Sequence, residues 1–254
     1  MKKFFVFSDI HGNYTDFYKA LLDAGYDENN ENHWLIGLGD YFDRYQEPLQ
    51  VLKFLNRIKR KVLVKGNHES LLWDLIERGF PLAYDYSNGT AQTIVDLAPD
   101  ITDFKEACTK CYALLFDFYN NLVDYVELQN YIGVHSFIPL KTVEKLPHQN
   151  NVNYRLTAMP NWRVEADKND WENARWGNPY ELSQMSEFLP EGKTLIFGHW
   201  HTSWPRHKWE HKDEFSPEAD FTPYYGKGFI GIDGCVASQY GKFNILVIED
   251  DFII

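Results

Sequence analysis

The segment 37-GLGDYFDR-44 sets two aspartates and an arginine directly after an apolar run of Leu35, Ile36 and Leu38. A second segment, 65-KGNHE-69, follows Val62, Leu63 and Val64 in the same way. A buried strand accounts for each apolar run, but nothing in a strand calls for the polar cluster behind it. The chain opens with the same grammar, an apolar run over 4–7 and then 8-SDIHGN-13. Helical spacing follows each cluster. Phe17, Ala20, Leu21 and Ala24 share one side of 14–24, which Gly25 ends, and Leu49, Leu52 and Leu55 mark the face of 48–60. A third helix is expected from near Glu69 to Arg78, stopped by Gly79. Strand, loop and helix three times over predict a layered α/β chain, with sheets flanked by helices. Ligands in such sheets sit beyond the carboxyl ends of the strands. The three polar clusters should therefore converge in space.

Beyond residue 100 the pattern changes. A helix is expected over 103–118, with Cys111, Leu114, Leu115 and Phe118 on its apolar side, then paired strands over 123–128 and 131–135 joined at Gln129-Asn130. Further strands are expected at 194–197, 229–232 and 243–248. Between them, about 139–192 is polar and carries 162-WRVEADKNDWENARW-176. An unfolded linker would rarely hold Trp162, Trp171 and Trp176. This stretch reads as an insertion bordering the site within one domain spanning 1–254.

Composition narrows the function. The 254 residues have 25 basic against 37 acidic side chains, a net charge of −12, and no extended basic run. That disfavours a bulk nucleic-acid binder, which needs positive charge against phosphates. Three cysteines make no disulfide framework, and Cys108-Thr-Lys-Cys111 has no second ligand pair, so packing is the expectation there. MKKFFVF imitates a secretory leader only until Ser8 and Asp9 break the run, so no membrane segment and a cytoplasmic location are expected. Oligomeric state leaves no trace in the sequence.

The polar residues at the strand ends form a set. Asp9 and His11 alternate across one position, and in an extended segment both would point the same way. Asp40 follows the second strand, Asn67 and His68 the third. His135 closes 131-YIGVH-135, and His199 and His201 close 194-TLIFGHWH-201. Taken singly, each is an ordinary turn residue or hydrogen-bonded histidine. Jointly, carboxylates with imidazoles suit manganese, iron or zinc, whereas magnesium and calcium favour all-oxygen shells.

Asp-x-His, Gly-Asp-x-x-Asp-Arg, Gly-Asn-His-Glu, a later strand-end histidine and a Gly-His resemble, in order from Ser8 to Val236, the calcineurin-like metallophosphoesterase superfamily. Within it the pattern is most similar to the phosphoprotein (serine/threonine) phosphatases of small bacterial or phage type. The resemblance implies a β-sandwich with a two-metal site at the strand ends. It implies Asp9 and His11 on the first metal, Asp40 bridging, and Asn67, His135 and His199 on the second. His68 would be the non-ligand histidine beside the leaving group, with Asp43 as its orienting partner and Arg44 on the phosphoryl oxygens. A further basic group from the insertion is implied, for which Arg175 is the candidate and Arg163 the competitor. The implied reaction is attack of a metal-bridging hydroxide on the phosphorus of a phosphorylated protein, peptide or small phosphoester. The metals are two divalent or mixed-valence ions, manganese first, with iron or zinc as alternatives. A chain that kept the fold only as a scaffold would have lost ligands, and none is missing here.

Three positions depart from the family pattern. Lys65 stands where arginine is usual, Tyr45 where glycine is usual, and Gly198-His199-Trp200-His201 ends like the phosphodiesterase branches, where the second histidine helps bind the first metal. His201, Tyr45 and the aromatic insertion keep open a phosphodiesterase or a dinucleoside polyphosphate hydrolase of the diadenosine tetraphosphate type.

Overall fold

The computed structural model describes residues 2–148, 151–184 and 192–253. Strands β1 (Lys2–Phe7), β2 (His33–Gly37) and β3 (Lys61–Leu63) lie parallel, linked by helices α1 (Tyr14–Asp23) and α2 (Pro48–Arg57). Helices α3 (Asn67–Arg78), α4 (Ala83–Asn88), α5 (Thr90–Leu97) and α6 (Phe104–Asn120) follow. Strands β4 (Tyr125–Glu127) and β5 (Tyr131–Val134) form an antiparallel pair, and β6 (Leu140–His148) pairs with β7 (Asn151–Ala158) as a separate ribbon. Three short helices come next: α7 (Trp162–Glu165), α8 (Lys168–Trp176) and α9 (Pro179–Ser183). The chain then runs through β8 (Thr194–Phe197), α10 (Ser203–Glu210), β9 (Tyr224–Gly226), β10 (Phe229–Gly231) and β11 (Leu246–Asp250).

Two mixed sheets result, ordered β11-β1-β2-β3 and β4-β5-β8-β10-β9. The period of two in strand side chains makes them a sandwich. Phe4, Val6 and Ile36 point inward to meet Val126, Ile196 and Ile230 of the second sheet. Phe5, Phe7 and Leu35 point outward to the layer of α1, α2, α3, α5 and α6. The second sheet repeats this, turning Ile132, Val134, Leu195 and Phe197 toward Trp162, Trp171 and Tyr180 of α7 to α9. A strand buried on both faces reads as an unbroken apolar run, which is why these segments show no polar alternation. Trp162 and Trp171 of the insertion thus belong to the core of the second sheet, whereas Trp176 is half exposed. Cys108 and Cys111 are buried in the helical layer, as packing residues.

The structure shifts several expected boundaries. Helix α2 stops at Arg57 because Ile58 turns extended and the Arg60 carbonyl accepts from Leu35 N–H at the edge of the first sheet. The last strand begins at Leu246, three residues late. The Asn244 amide donates to the Phe221 and Ile232 carbonyls, and the ladder to β1 starts only after it. Helices α4 and α5 were not legible. They are six and eight residues long, split by Gly89 at φ +84°. Among the described residues no helix is long and apolar enough to cross a membrane.

Candidate metal centre

The loop after β1 is zipped to the loop after β2 by backbone hydrogen bonds. Asp9 N–H donates to Gly39 O, His11 N–H to Asp40 O and Gly12 N–H to Tyr41 O, while Tyr45 N–H returns to His11 O. Asp9 and His11 are not extended, as their spacing suggested. Both lie in the left-handed region, at φ +54° and +51°. Their shared direction comes from this turn and its zipper, not from a pleat. Asp40 (+57°), Asp43 (+69°), Arg44 (+68°) and His199 (+67°) are left-handed too. Side chains rarely tolerate this region, and such residues persist where the surroundings over-determine them, commonly at functional sites.

These loops bring Asp9, His11, Asp40, Asn67, His135 and His199 together from both sheets. The His135 Nδ1 lies 2.7 Å from the Leu38 carbonyl, which can only accept, so Nδ1 carries the proton and Nε2 the lone pair. That lone pair faces Asn67 Oδ1 at 2.8 Å, His199 Nδ1 at 3.2 Å and Asp40 Oδ1 at 3.4 Å. A hydrogen bond to the Trp176 backbone also acts on the His199 ring, too weakly to offset the burial that lowers its pKa. Turning the Asn67 amide would repair one contact but would leave the Asp40 carboxylate facing the same lone pair. His11 repeats the arrangement: Nδ1 donates to the Phe42 carbonyl, and Nε2 lies 3.9 Å from both Asp9 Oδ1 and Asp40 Oδ2. Acceptors aimed at one another with no proton between them repel, and a divalent cation is what relieves that repulsion. The donor set fits metal on each side of Asp40. Burial holds the imidazoles neutral and ready to ligate, depressing His11 and His135 and taking His199 down to about 3. For Asp40, burial pushes the carboxyl up, but four surrounding imidazoles together bring it below the usual range.

His68 stands apart. Its Nδ1 lies 2.7 Å from Asp43 Oδ2, and its Nε2 accepts from the Arg44 guanidinium at 3.3 Å. Nε2 is also 3.9 Å from Asp40 Oδ2, close enough to join His11 and Asp40 around an ion by distance alone. With a guanidinium already on that nitrogen, a second cation there would be opposed. Burial favours neutral His68, yet the Asp40 and Asp43 carboxylates outweigh it and raise its pKa, against the direction seen in His11, His135 and His199. Thr90 Oγ1 and Thr93 Oγ1 donate to the two oxygens of buried Asp43 and fix it. Both threonines sit on α5, so no sequence signal pointed to them.

Spacing marks Glu69 as a helix start, and its place in Gly-Asn-His-Glu assigns it no role of its own. It is buried, and its carboxylate accepts backbone N–H groups from Asp40, Tyr41 and Gly66. It therefore caps α3 two residues earlier than the spacing suggested, placing Asn67 and His68 in the first helical turn. A Cβ on Gly66 would strike Asp40 Oδ1, and one on Gly198 would strike Ser8 and Asp9, so glycine alone allows these approaches. Buried Asp233, from 231-GIDGCV-236, also borders the site. Its proximity to Asp9 adds to the burial that raises the Asp9 carboxyl.

A cavity of about 240 Å³ opens over the centre, lined by His11, Arg44, His199, His201, Asp233 and Cys235 among others. His201 reaches that wall, but its Nδ1 engages Ser203 Oγ at 2.9 Å and its Nε2 lies 3.4 Å from Glu214. Arg175 is buried, paired with Asp124 and, at 3.0 Å, with Glu172. Arg163 forms a two-pronged pair with Glu127 at 2.6 and 2.8 Å. Tyr45 donates its hydroxyl to the Val236 carbonyl at 2.7 Å.

A family model described as calcineurin-like phosphoesterase matches residues 2–203. A stretch of 67 residues is 36% identical to a symmetrical bis(5'-nucleosyl)-tetraphosphatase of Wigglesworthia glossinidia brevipalpis, covering 26% of this chain and only 24% of that relative. Among solved structures, that of a candidate diadenosine tetraphosphatase superposes with a TM-score of 0.50 at 16% identity, over 99% of this chain and 94% of the other. A mutant cold-active protein tyrosine phosphatase gives 0.53 at 15% identity, over 98% and 76%. At such identities these structures establish the fold alone.

Proposed function

The chain belongs to the calcineurin-like phosphoesterase family, a family of metal-dependent hydrolases, and from that premise we propose that it hydrolyses phosphomonoesters, those of serine and threonine among them. The observation that carries this reading is the Asp43–His68–Arg44 constellation beside the donor set, with Asp43 to His68 at 2.7 Å and His68 to Arg44 at 3.3 Å. An alkoxide is a poor leaving group and needs a proton, which His68 Nε2 is placed to give. Asp43 holds Nδ1–H and so fixes the tautomer. Exposed Arg44 would exchange its contact with His68 for the phosphoryl oxygens, freeing Nε2 to take up the proton it later donates.

Asp9, His11 and Asp40 would hold one metal, and Asp40, Asn67, His135 and His199 the other. Manganese suits this mixed shell first, iron or zinc next, and the bound ions would neutralise phosphoryl charge and activate water. Arg175, already paired with two carboxylates, is proposed to order α8, whose Trp176 ring packs edge-on against the His199 ring, instead of meeting phosphate.

One observation favours a second reading, the 67-residue match to a symmetrical dinucleoside tetraphosphatase. Engagement of His201 by Ser203 and Glu214 weighs against the diesterase branch, where that residue would turn to metal. Initial rates with manganese-refilled protein on p-nitrophenyl phosphate, bis-p-nitrophenyl phosphate and diadenosine tetraphosphate test the choice. Faster turnover of the monoester is expected. Strong preference for either of the others would displace the monoesterase reading.

A further inference from the structure

Glu69 is 3% exposed and makes its hydrogen bonds to backbone N–H groups behind the centre, not to the donor atoms. Its Oε1 accepts from Tyr41 N–H at 2.8 Å, and its Oε2 from Asp40 N–H and Gly66 N–H, both at 2.9 Å. Asp40 answers, accepting His68 N–H on Oδ1 at 3.0 Å. The loop after β2 and the start of α3 are thus cross-bonded in both directions, each by one buried carboxylate.

Capping α3 would need only the Gly66 bond. The bonds to Asp40 and Tyr41 serve the opposite loop, at a point where Asp40 sits at φ +57°. The approach is as close as the chain allows, since Gly66 could not carry a Cβ against Asp40. A buried carboxylate is tolerable when its oxygens are met by donors, and three backbone N–H groups meet them here.

We infer that Glu69 is a positioning residue for the metal centre. It fixes the Asp40 backbone against Asn67 and His68 and so sets the reach of the shared carboxylate toward both donor groups. This rests on the reading of Asp40 as the ligand common to both metals.

Glu69→Gln keeps the shape but replaces one acceptor oxygen with an NH₂ donor, which must face at least one backbone N–H. Calorimetric titration of metal-stripped protein with manganese should show both dissociation constants raised by about 10–100-fold, as for lost supports of metal ligands. The half-saturating manganese concentration for hydrolysis should move by the same factor. A lowered melting temperature with unchanged manganese affinity would reduce Glu69 to a helix cap and overturn the inference. The native chain gives an answer that does not depend on the variant folding. In stripped wild-type protein the Asp40 and Tyr41 amides should exchange hydrogen only with global unfolding, and rapid exchange of both would overturn the inference. Asp40→Asn separates the two readings. If it binds manganese normally, the shared-ligand assignment falls. If it loses manganese while Glu69→Gln does not, only the role of Glu69 falls.

Discussion

Asp40 meets more of the site than any other residue. Its backbone lies in the Glu69 clamp, one oxygen takes His68 N–H, and both oxygens face imidazoles. Asp40→Asn removes the charge common to both donor groups, so metal analysis after manganese refilling should find both sites depleted together. Loss of a single equivalent would mean that Asp40 serves one side only. His68 should behave differently because its Nδ1 is taken by Asp43 and its Nε2 by Arg44. His68→Asn is expected to keep the metals and slow phosphoserine hydrolysis by about 10²–10⁴-fold, the usual size of general-acid catalysis. With p-nitrophenyl phosphate the loss should be much smaller, because that leaving group needs little protonation. Equal losses on both substrates would remove the general-acid role from His68. Of this residue-scale picture, Asp40 and His68 stand out in the sequence by their place after apolar runs, while Asp43 as a partner of His68 came only from the family resemblance. The bonds from Glu69 to the loop after β2 and the threonine pair on Asp43 were not legible, because they join positions 28 to 50 residues apart.

At the scale of elements, the insertion is fastened to the second sheet at Glu127 of β4. Arg163 of α7 grips that carboxylate with two N–H groups, and Lys193, just before β8, adds a third contact at 2.9 Å. The hydrogen bond from Arg163, partial burial and the Lys193 bond, in that order of size, act on the Glu127 carboxyl and leave its pKa below the ordinary value. A carboxyl with a lower pKa in the folded chain than in the unfolded one stabilises the fold above the unfolded value. The contribution fades as pH falls through the folded value. Glu127→Gln should therefore lower stability by about 1 kcal/mol at neutral pH, the scale of a partly exposed ion pair. The gap in urea midpoints between wild type and variant should close as the pH is taken toward 3. A gap independent of pH would show that shape, not charge, joins these elements. The sequence offered Arg163 only as a rival phosphate contact. Its partner on β4 lies 36 residues away and could not be seen from local spacing.

In the whole molecule, the candidate ligands divide between the two sheets. Asp9, Asp40 and Asn67 follow strands of the first sheet, His135 and His199 strands of the second. Cations held by both sets would tie the layers of the sandwich together at one end. Manganese at 100 times its dissociation constant should stabilise the folded chain by about 2.7 kcal/mol per site. For a chain of this size that is about 5–10 °C in melting temperature for each site. Chelation should reverse it. A scan with no difference between stripped and refilled protein would argue against a metal centre spanning the sheets.

The sequence by itself determined the alternation of buried strands and amphipathic helices, and the rule that polar residues gather where those strands end. Burial on both faces leaves unbroken apolar runs, helices leave a 3.6-residue rhythm, and 9-DIH-11, 40-DYFDR-44 and 67-NHE-69 sit visibly outside both patterns. Only the tertiary structure decided how those residues are held. The left-handed turns at Asp9 and His11 exist because the loop after β2 supplies three carbonyls to bind them. His135 turns an unprotonated nitrogen toward Asn67, His199 and Asp40 because the Leu38 carbonyl, remote in the chain, accepts its proton. Periodicity records what a residue does to its own element. The partners that a folded chain brings from elsewhere leave no mark on local sequence.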